Sequence, residues 1–393
     1  MREGWKRVKL NDITCKCKNI KWKDVSEEKE YYYIDLSSVD RETKQIEDFQ
    51  TINSLEAPSR AKQIIKRGDI LFATTRPTLK RFCVVGSEYD EQICSTGFCV
   101  LRPNSEVLPK FIYYVLFSDN FYEYIEPLQT GASYPAVTDS VVKNYDLFLP
   151  SLSEQQRIVE MLDAEFAKID AIKANAEKQL QWAKDLLNKS ISELTSFQLG
   201  WNKTKLKELC SIKGEYGLNE SATTFNGIRY LRITDITADG ELNDEKVSAE
   251  NKEGKSQKKL EPGDILFART GATVGKTLVY KEEFGDCNFA GYLIRYRTNP
   301  SIILPQYLFY YTHSSRYYEW VIENQAAAAQ PNISAQKYNE LEIDFPKDIE
   351  AQQTIVEKLD TLLEKVKQLQ LNYEKTIALC NDLKQSLLKD IFG

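Results

Sequence analysis

The sequence predicts an α+β protein built from two copies of one mixed α/β unit, each followed by a long helix that pairs with its own copy. Three observations carry this. Short motifs of the first half return in the same order in the second, at a shift that stays between 194 and 197 residues. Two stretches without internal Pro or Gly carry apolar residues at alternating steps of three and four, the seam of a coiled coil. The text between matched motifs diverges strongly. The boundaries are 1–150 and 201–348 for the repeated units, and 151–200 and 349–393 for the helices.

In chain order, Trp5-Lys-Arg-Val-Lys-Leu10 returns as Trp201-Asn-Lys-Thr-Lys-Leu206, and GDILFATT from Gly68 as GDILFART from Gly263. LPKFIYYV from Leu108 becomes LPQYLFYY from Leu304, and FYEYIE from Phe121 becomes YYEWVI from Tyr317. Tyr134-Pro-Ala-Val-Thr138 answers to Gln330-Pro-Asn-Ile-Ser334, and Gln155-Gln-Arg-Ile-Val-Glu160 to Gln352-Gln-Thr-Ile-Val-Glu357. Ile34-Asp-Leu36 and Leu231-Arg-Ile233 read as short strands, and Gly-Asp before Ile-Leu-Phe as a turn feeding a buried strand. The aromatic stretches 108–126 and 304–323 have helical spacing and open with Pro at an early helix position. Residues 41–60 and 239–260 share almost nothing, nor do 76–92 and 271–287, so one scaffold presents two different surfaces.

The first long helix is predicted over Ser153–Phe197, opening with a capping-box spacing of Ser153 and Gln156. Its seam is Val159, Leu162, Phe166, Ile169, Ala176, Leu180, Ala183, Leu187, Leu194 and Phe197. The second enters at Asp348, with Val356, Leu359, Leu363, Val366, Tyr373, Ile377, Cys380 and Ile391 on its seam. A flaw repeats: Lys173 and Gln370 occupy seam positions, and the apolar residue stands one place earlier, at Ile172 and Leu369. A rod of forty-five residues is about 65–70 Å long, and its stripe must be buried.

Composition narrows the function. The 393 residues carry a net charge of −6, and neither repeated unit is basic, with 21 Lys and Arg against 22 Asp and Glu in 1–150 and 19 against 21 in 201–348. A nucleic-acid role must rest on local clusters. No apolar run reaches the roughly 18 residues of a membrane span. MREGWKRVKLND lacks the apolar core of a secretory signal, so a cytoplasmic protein is expected. Eight cysteines show no metal or disulfide pattern and read as buried free thiols; one histidine, His313, makes His-based metal sites and a Ser-His-Asp triad improbable. No metal and no cofactor is expected.

Gly271-Ala-Thr-Val-Gly275-Lys276-Thr277 imitates a phosphate loop, which would make the chain a nucleotide hydrolase. The spacing is wrong, however: counted back from Gly275, the first glycine of the pattern falls on Thr270. A strand follows where a helix should, so the stretch reads as a turn between strands. No Asn/Asp-Pro-Pro-aromatic motif for methyl transfer to the amino groups of bases occurs. Basic residues do cluster in matched loops: Arg60, Lys62, Lys66, Arg67, Arg76, Lys80 and Arg81 in the first unit, and Lys252, Lys255, Lys258, Lys259, Arg269, Lys276 and Arg316 in the second. Singly they read as solvated charges; together, on variable loops of a duplicated scaffold, they point to DNA contact. Tyr134 and Gln330, at matched positions, join them as candidates.

The ordered set of motifs, present twice, resembles the specificity (S) subunits of type I restriction–modification systems over essentially the whole chain. The resemblance implies two target-recognition domains joined by a long antiparallel two-helix coiled coil with pseudo-twofold symmetry. It implies binding of double-stranded DNA at a bipartite site, no catalysis by this chain, two adenine-methyltransferase (M) subunits as partners, and restriction/translocase (R) subunits through the complex. A related system with methyltransferase and nuclease fused in one partner chain would use the same fold. The run Gln325-Ala-Ala-Ala-Ala-Gln330 departs from the family, where a glycine such as Gly131 is common.

Overall fold

The structure is a computed structural model that describes residues 4–25, 28–250, 258–325 and 331–393. It divides into two compact units, Met1–Ala176 with Lys375–Gly393, and Glu177–Glu374. The central helix, Leu152–Leu194, and the terminal helix, Ile349–Phe392, each give one half to each unit.

In the first unit, strands Thr14–Cys15, Phe98–Pro103, Ile70–Ala73 and Phe82–Val84 form an antiparallel sheet in that spatial order. A second sheet runs Gln50–Asn53, Glu30–Ile34, Ile93–Ser95, Ala61–Ile64, with its two middle strands parallel. Lys6–Lys9 pairs with Asp146–Leu149, which leads the chain into the central helix. Every residue of Ile70–Ala73 is buried, as expected of a strand covered on both faces. Its Ile70 and Phe72 join Phe111, Phe121, Leu162 and Phe166 in one apolar cluster, and Leu388 and Ile391 of the terminal helix complete that cluster. Lys384 lies over the Phe166 ring at 4.9 Å.

The second unit repeats the main sheet strand for strand: Cys210–Tyr216, Leu293–Thr298, Asp264–Ala268, Thr277–Val279. Asn202–Lys205 pairs with Glu342–Phe345 as its counterpart does. Ile265, Phe267, Tyr307 and Tyr317 cluster with Ile191 of the central helix and Val356 and Leu359 of the terminal one. Of the second sheet, only the central parallel pair recurs among the described residues: Tyr33 and Ile34 beside Ile93 and Cys94 return as Tyr230 and Leu231 beside Asn288 and Phe289. That pair, Arg229–Leu231 with Cys287–Phe289, is a sheet of its own in the second unit, and Ala222–Thr224 forms a further pair with Val247–Ala249. The units differ in the flanking strands, Gln50–Asn53 and Ala61–Ile64 in the first and Ala222–Thr224 with Val247–Ala249 in the second; the divergent segment 41–60 supplies one of them, as 239–260 does.

The shared Gly-Asp has a clear reason. Gly68 and Gly263 sit at φ +84° and +89°, which suits glycine. Asp69, almost fully buried, accepts the Lys66 N–H at 2.8 Å to close the turn and takes both Arg102 Nε and Nη2, at 2.9 and 2.7 Å. Asp264 does the same with Glu261 N–H and Arg297. One carboxylate thus sets the turn and ties it to the neighbouring strand.

Several expected boundaries move. The strands end at Ile34 and Leu231 because the aspartates that follow capture backbone N–H groups: Asp35 takes Ser37 and Ser38, and Asp235 takes Arg232. Each aromatic stretch is two helices, Pro109–Phe117 with Asp119–Ile125, and Pro305–Tyr311 with Ser315–Asn324. The hydroxyls of Ser118 and Ser314 donate back to Val115 O and Tyr311 O at 2.7 Å, and so satisfy the ends of the first helices. The central helix is capped by Ser151, whose Oγ accepts from Glu154 N–H, while Gln156 reaches forward to Glu160. Its last turn is closed by Thr195 and Ser196 hydroxyls, so Phe197 lies past the end and is exposed. Asp348 does cap the terminal helix, accepting from Glu350 N–H at 3.1 Å.

Of the predicted seam, Val159, Leu162, Phe166, Ile169, Val356, Leu359 and Val366 are buried, and Leu180, Leu187, Leu194, Leu363 and Ile377 are half-buried. At the repeated flaw, Lys173 and Gln370 are half-buried while Ile172 and Leu369 face solvent. Ile191 and Leu388, absent from the predicted seam, are buried.

His313 donates its Nδ1–H to Phe309 O at 2.8 Å and packs on the Phe309 ring. Burial holds its pKa below the ordinary 6.5. The unfolded chain gains a proton as pH falls through about 6.5, and the folded unit gains it only lower. Acidification from pH 7 therefore removes stability from the second unit. Urea unfolding between pH 7 and 5.5 should show a shallower decline for H313F than for wild type. Equal slopes would mean that the imidazole protonates within the fold.

Candidate nucleic-acid interface

In both units the strand bearing GDILFA runs into a loop held by the repeated Pro motif. In the first, Thr75 bridges Ala136, Arg76 N–H donates to Pro135 O at 2.6 Å, and Val137 N–H to Thr74 O at 2.9 Å. In the second, Thr270 bridges Asn332, Gly271 N–H donates to Pro331 O at 2.9 Å, and Ile333 N–H to Arg269 O at 2.9 Å. The two motifs thus meet in space although about 60 residues separate them in each unit. Their role is to fix the loop backbone at the end of the main sheet.

Each junction carries an arginine lying on a tyrosine. The Arg76 guanidinium sits 4.8 Å from the Tyr134 ring centroid, and Tyr134 is 69% exposed. The Arg269 guanidinium lies 4.8 Å from the Tyr216 ring, with Nε 3.4 Å from Asn332 Oδ1. Neither has a carboxylate partner among the described residues. Stacking of this kind orients the flat fork while leaving donors at its rim. The second junction opens onto a cleft of about 710 Å³ lined by Arg269, Tyr292, Asn219, Ser221 and Thr234. Its Arg232 is neutralised by the buried Asp235, at 2.7 Å.

The other predicted cations are placed differently. Arg60 and Lys62 are exposed, Lys62 on the edge strand Ala61–Ile64. Lys80 pairs with Asp119 at 2.6 Å and lies over Tyr122. Arg81 donates to Leu36 O, Lys276 to Ile236 O at 3.2 Å, and Lys258 to Tyr216 O. Arg316 pairs with the buried Asp344. These five brace loops against their own unit. Lys252, Lys255 and Gln330 lie outside the described residues. Tyr216, Tyr292 and the exposed, mutually tilted rings of Tyr32 and Phe49, with centroids 4.5 Å apart, were not evident from the sequence. Exposed aromatics beside cations were the available signal, but tyrosine is so frequent here that it pointed nowhere.

Gly271–Thr273 is a short turn between antiparallel strands Asp264–Ala268 and Thr277–Val279, and no helix follows it. Six of the eight cysteines are buried, and burial pushes the Cys210 and Cys287 thiols up to about 12 and about 11. Among the described residues no His, Cys, Asp and Glu side chains group as a metal site would need. No helix among them is long and apolar enough to cross a membrane.

One scaffold written twice, with a braced loop and an arginine lying over a tyrosine without a carboxylate partner among the described residues at the same end of each sheet, and different structure around it, defines a class: a protein with two unlike polar recognition surfaces. Comparison gives the family. The type I restriction modification DNA specificity domain matches residues 2–181 and again 198–376, and the chain belongs to that family. It is 25% identical to the type I restriction enzyme StySPI specificity subunit of Salmonella potsdam over 99% of this chain and 89% of that one. It is 34% identical to the HindI specificity subunit of Haemophilus influenzae over 113 residues, 28% of this chain and 25% of that one. A chain from a structure of type I R–M complex assembly and conformational transition superposes with a TM-score of 0.85 at 27% identity, covering 99% of this chain and 97% of that one. The chain is thus a type I DNA-specificity subunit by family.

Proposed function

We propose that this chain is the non-catalytic reader of a cytoplasmic type I complex, and that each repeat reads one half of a bipartite site in double-stranded DNA. The observation that carries this is the main sheet built twice with different outer segments: four strands in one sheet in the first unit, two separate pairs in the second. Identical frames with unlike surroundings suit two different half-sites. The long helices pair antiparallel and hold the readers at fixed spacing. In support, the first half of the central helix shares a core with the end of the terminal helix, and the second half shares one with its beginning. Two readers on one duplex face want centres about 34 Å apart, which a helix of 43 residues, about 65 Å long, can span.

The helices also dock two adenine-methyltransferase subunits, through which restriction/translocase subunits join. Two matched pairs of exposed apolar residues support a pair of identical partners: Trp182 with Leu186 and, at a shift of 197, Leu379 with Leu383. Each pair is spaced by one helical turn on the solvent side, where a partner helix would cover it.

Sequencing modified adenines in cells with and without this chain, beside its methyltransferase, tests the reading. A single bipartite motif with two unlike halves and one gap should appear only with the chain. Binding of that duplex by the purified complex should weaken steeply as salt is raised. A continuous or absent motif would sink the proposal.

A further inference from the structure

We propose that Arg76 and Arg269 each read a guanine in the major groove, one in each half-site, with Tyr134 and Tyr216 holding the guanidinium planes in register. The inference rests on the two-reader reading above and gives it a base. Both arginines stand at the loop that ends the main sheet, on backbone pinned by the Pro motif. Arg76 is held at φ +48°, a conformation its own side chain disfavours, so the surrounding contacts impose it. Both guanidiniums lie over an aromatic ring, 4.8 Å from its centroid, and each is further steadied by one neutral acceptor, Ser133 O at 3.5 Å for Arg76 and Asn332 Oδ1 at 3.4 Å for Arg269; neither is neutralised by a carboxylate among the described residues. Most of the other predicted cations are spent on their own unit.

The chemistry favours a base edge over a phosphate. A phosphate is served by any mobile positive charge, as a lysine supplies it. A planar fork fixed by stacking gains most from a planar acceptor pair, and guanine O6 and N7 are that pair in the major groove. Fixing the plane beforehand also lowers the entropy lost on binding. The two arginines do not occupy matched positions: Arg269 aligns with Thr74, two residues before the turn Gly271–Thr273, whereas Arg76 aligns with Gly271 and stands directly before the turn Pro77–Leu79. The stacking tyrosine comes from the Pro motif in one unit and from the strand Cys210–Tyr216 in the other. The same device has been assembled twice from different residues.

The test uses the complex of this chain with its methyltransferase partners. The wild-type motif, mapped by sequencing modified adenines, should hold a G·C pair in each half. R76A should leave one of those positions degenerate, with the other half and the gap unchanged, and R269A should do the same in the opposite half. Discrimination at that pair should fall roughly ten- to a hundredfold. R76K and R269K, which keep the charge but lose the fork, should relax the same positions, so a folding failure cannot imitate the result. A duplex carrying 7-deazaguanine at the assigned position should bind the wild-type complex about tenfold more weakly, with R76A or R269A insensitive to it. A half-site without G·C, an unchanged motif, or uniformly weaker marking at the same motif would each overturn the guanine assignment. A complex that marks no bipartite site at all would instead overturn the two-reader reading beneath it.

Discussion

Replacing Gln155 or Gln352 by leucine is expected to destabilise the unit concerned by about 3–5 kcal/mol, while Q156L and Q353L, one residue on, stay within about 0.5 kcal/mol. The buried amide of Gln155 makes three bonds. Its Nε2 donates to Glu106 O and Pro150 O at 2.9 and 3.0 Å, and its Oε1 accepts from Leu108 N–H at 2.9 Å. Gln352 makes the same three, to Ile302 O, Pro346 O and Leu304 N–H, each at 2.9 Å. One side chain therefore ties the first turn of each long helix to the strand before it and to the start of the aromatic helices. Leucine fills much the same volume but leaves three backbone groups without partners, each costing about 1–3 kcal/mol and the less shielded ones least. Gln156 and Gln353 are exposed and bond only to Glu160 and Glu357. Urea unfolding followed by circular dichroism separates the two classes. Equal effects from both glutamines of a pair would refute the clamp.

That clamp marks how far the sequence could be read. The repeated Gln-Gln was visible, and so was its place at a helix start, but periodicity cannot say which amide turns inward. The main sheet was legible because Gly-Asp-Ile-Leu-Phe combines a turn that suits glycine with a fully apolar run, and both copies form the expected buried strand. The divergent segments were legible only as divergence. Whether residues 41–60 add a strand to a sheet depends on cross-strand partners distant in sequence, such as Glu30–Ile34 for Gln50–Asn53. The helix ends shifted because hydroxyls at Ser151, Thr195 and Ser196 decide them, and their rotamers follow from local geometry.

The candidate site was legible as residue types and no further. Arg76 and Arg269 stood in a set of basic residues with Lys80, Arg81, Lys276 and Arg316, and nothing in the chain text separates a fork without a carboxylate partner from a brace. What separates them is three-dimensional: Lys80 finds Asp119, and Arg316 finds Asp344. Tyr216 could not be matched to Arg269 by repeat arithmetic, because its counterpart in the first unit, at position 20, is an isoleucine.

Deleting one heptad from each long helix, Lys173–Gln179 together with Gln370–Thr376, is expected to shorten the gap of the marked motif by up to about three base pairs and leave both half-sites intact. Seven residues remove about 10.5 Å of rod, and duplex DNA rises about 3.4 Å per base pair. The deletion keeps the seam facing inward, since seven residues fall only about 20° short of two turns. Three base pairs, however, turn the duplex by about 100° at roughly ten per turn. The shortened reader must therefore twist its DNA or itself, and marking should weaken as well as move. Removing the heptad from one helix alone throws the paired seams out of register and should abolish marking rather than shift it. Sequencing modified adenines reads all three variants. A double deletion that keeps the original gap, or that alters a half-site, would show that something other than the helices sets the distance between the two readers.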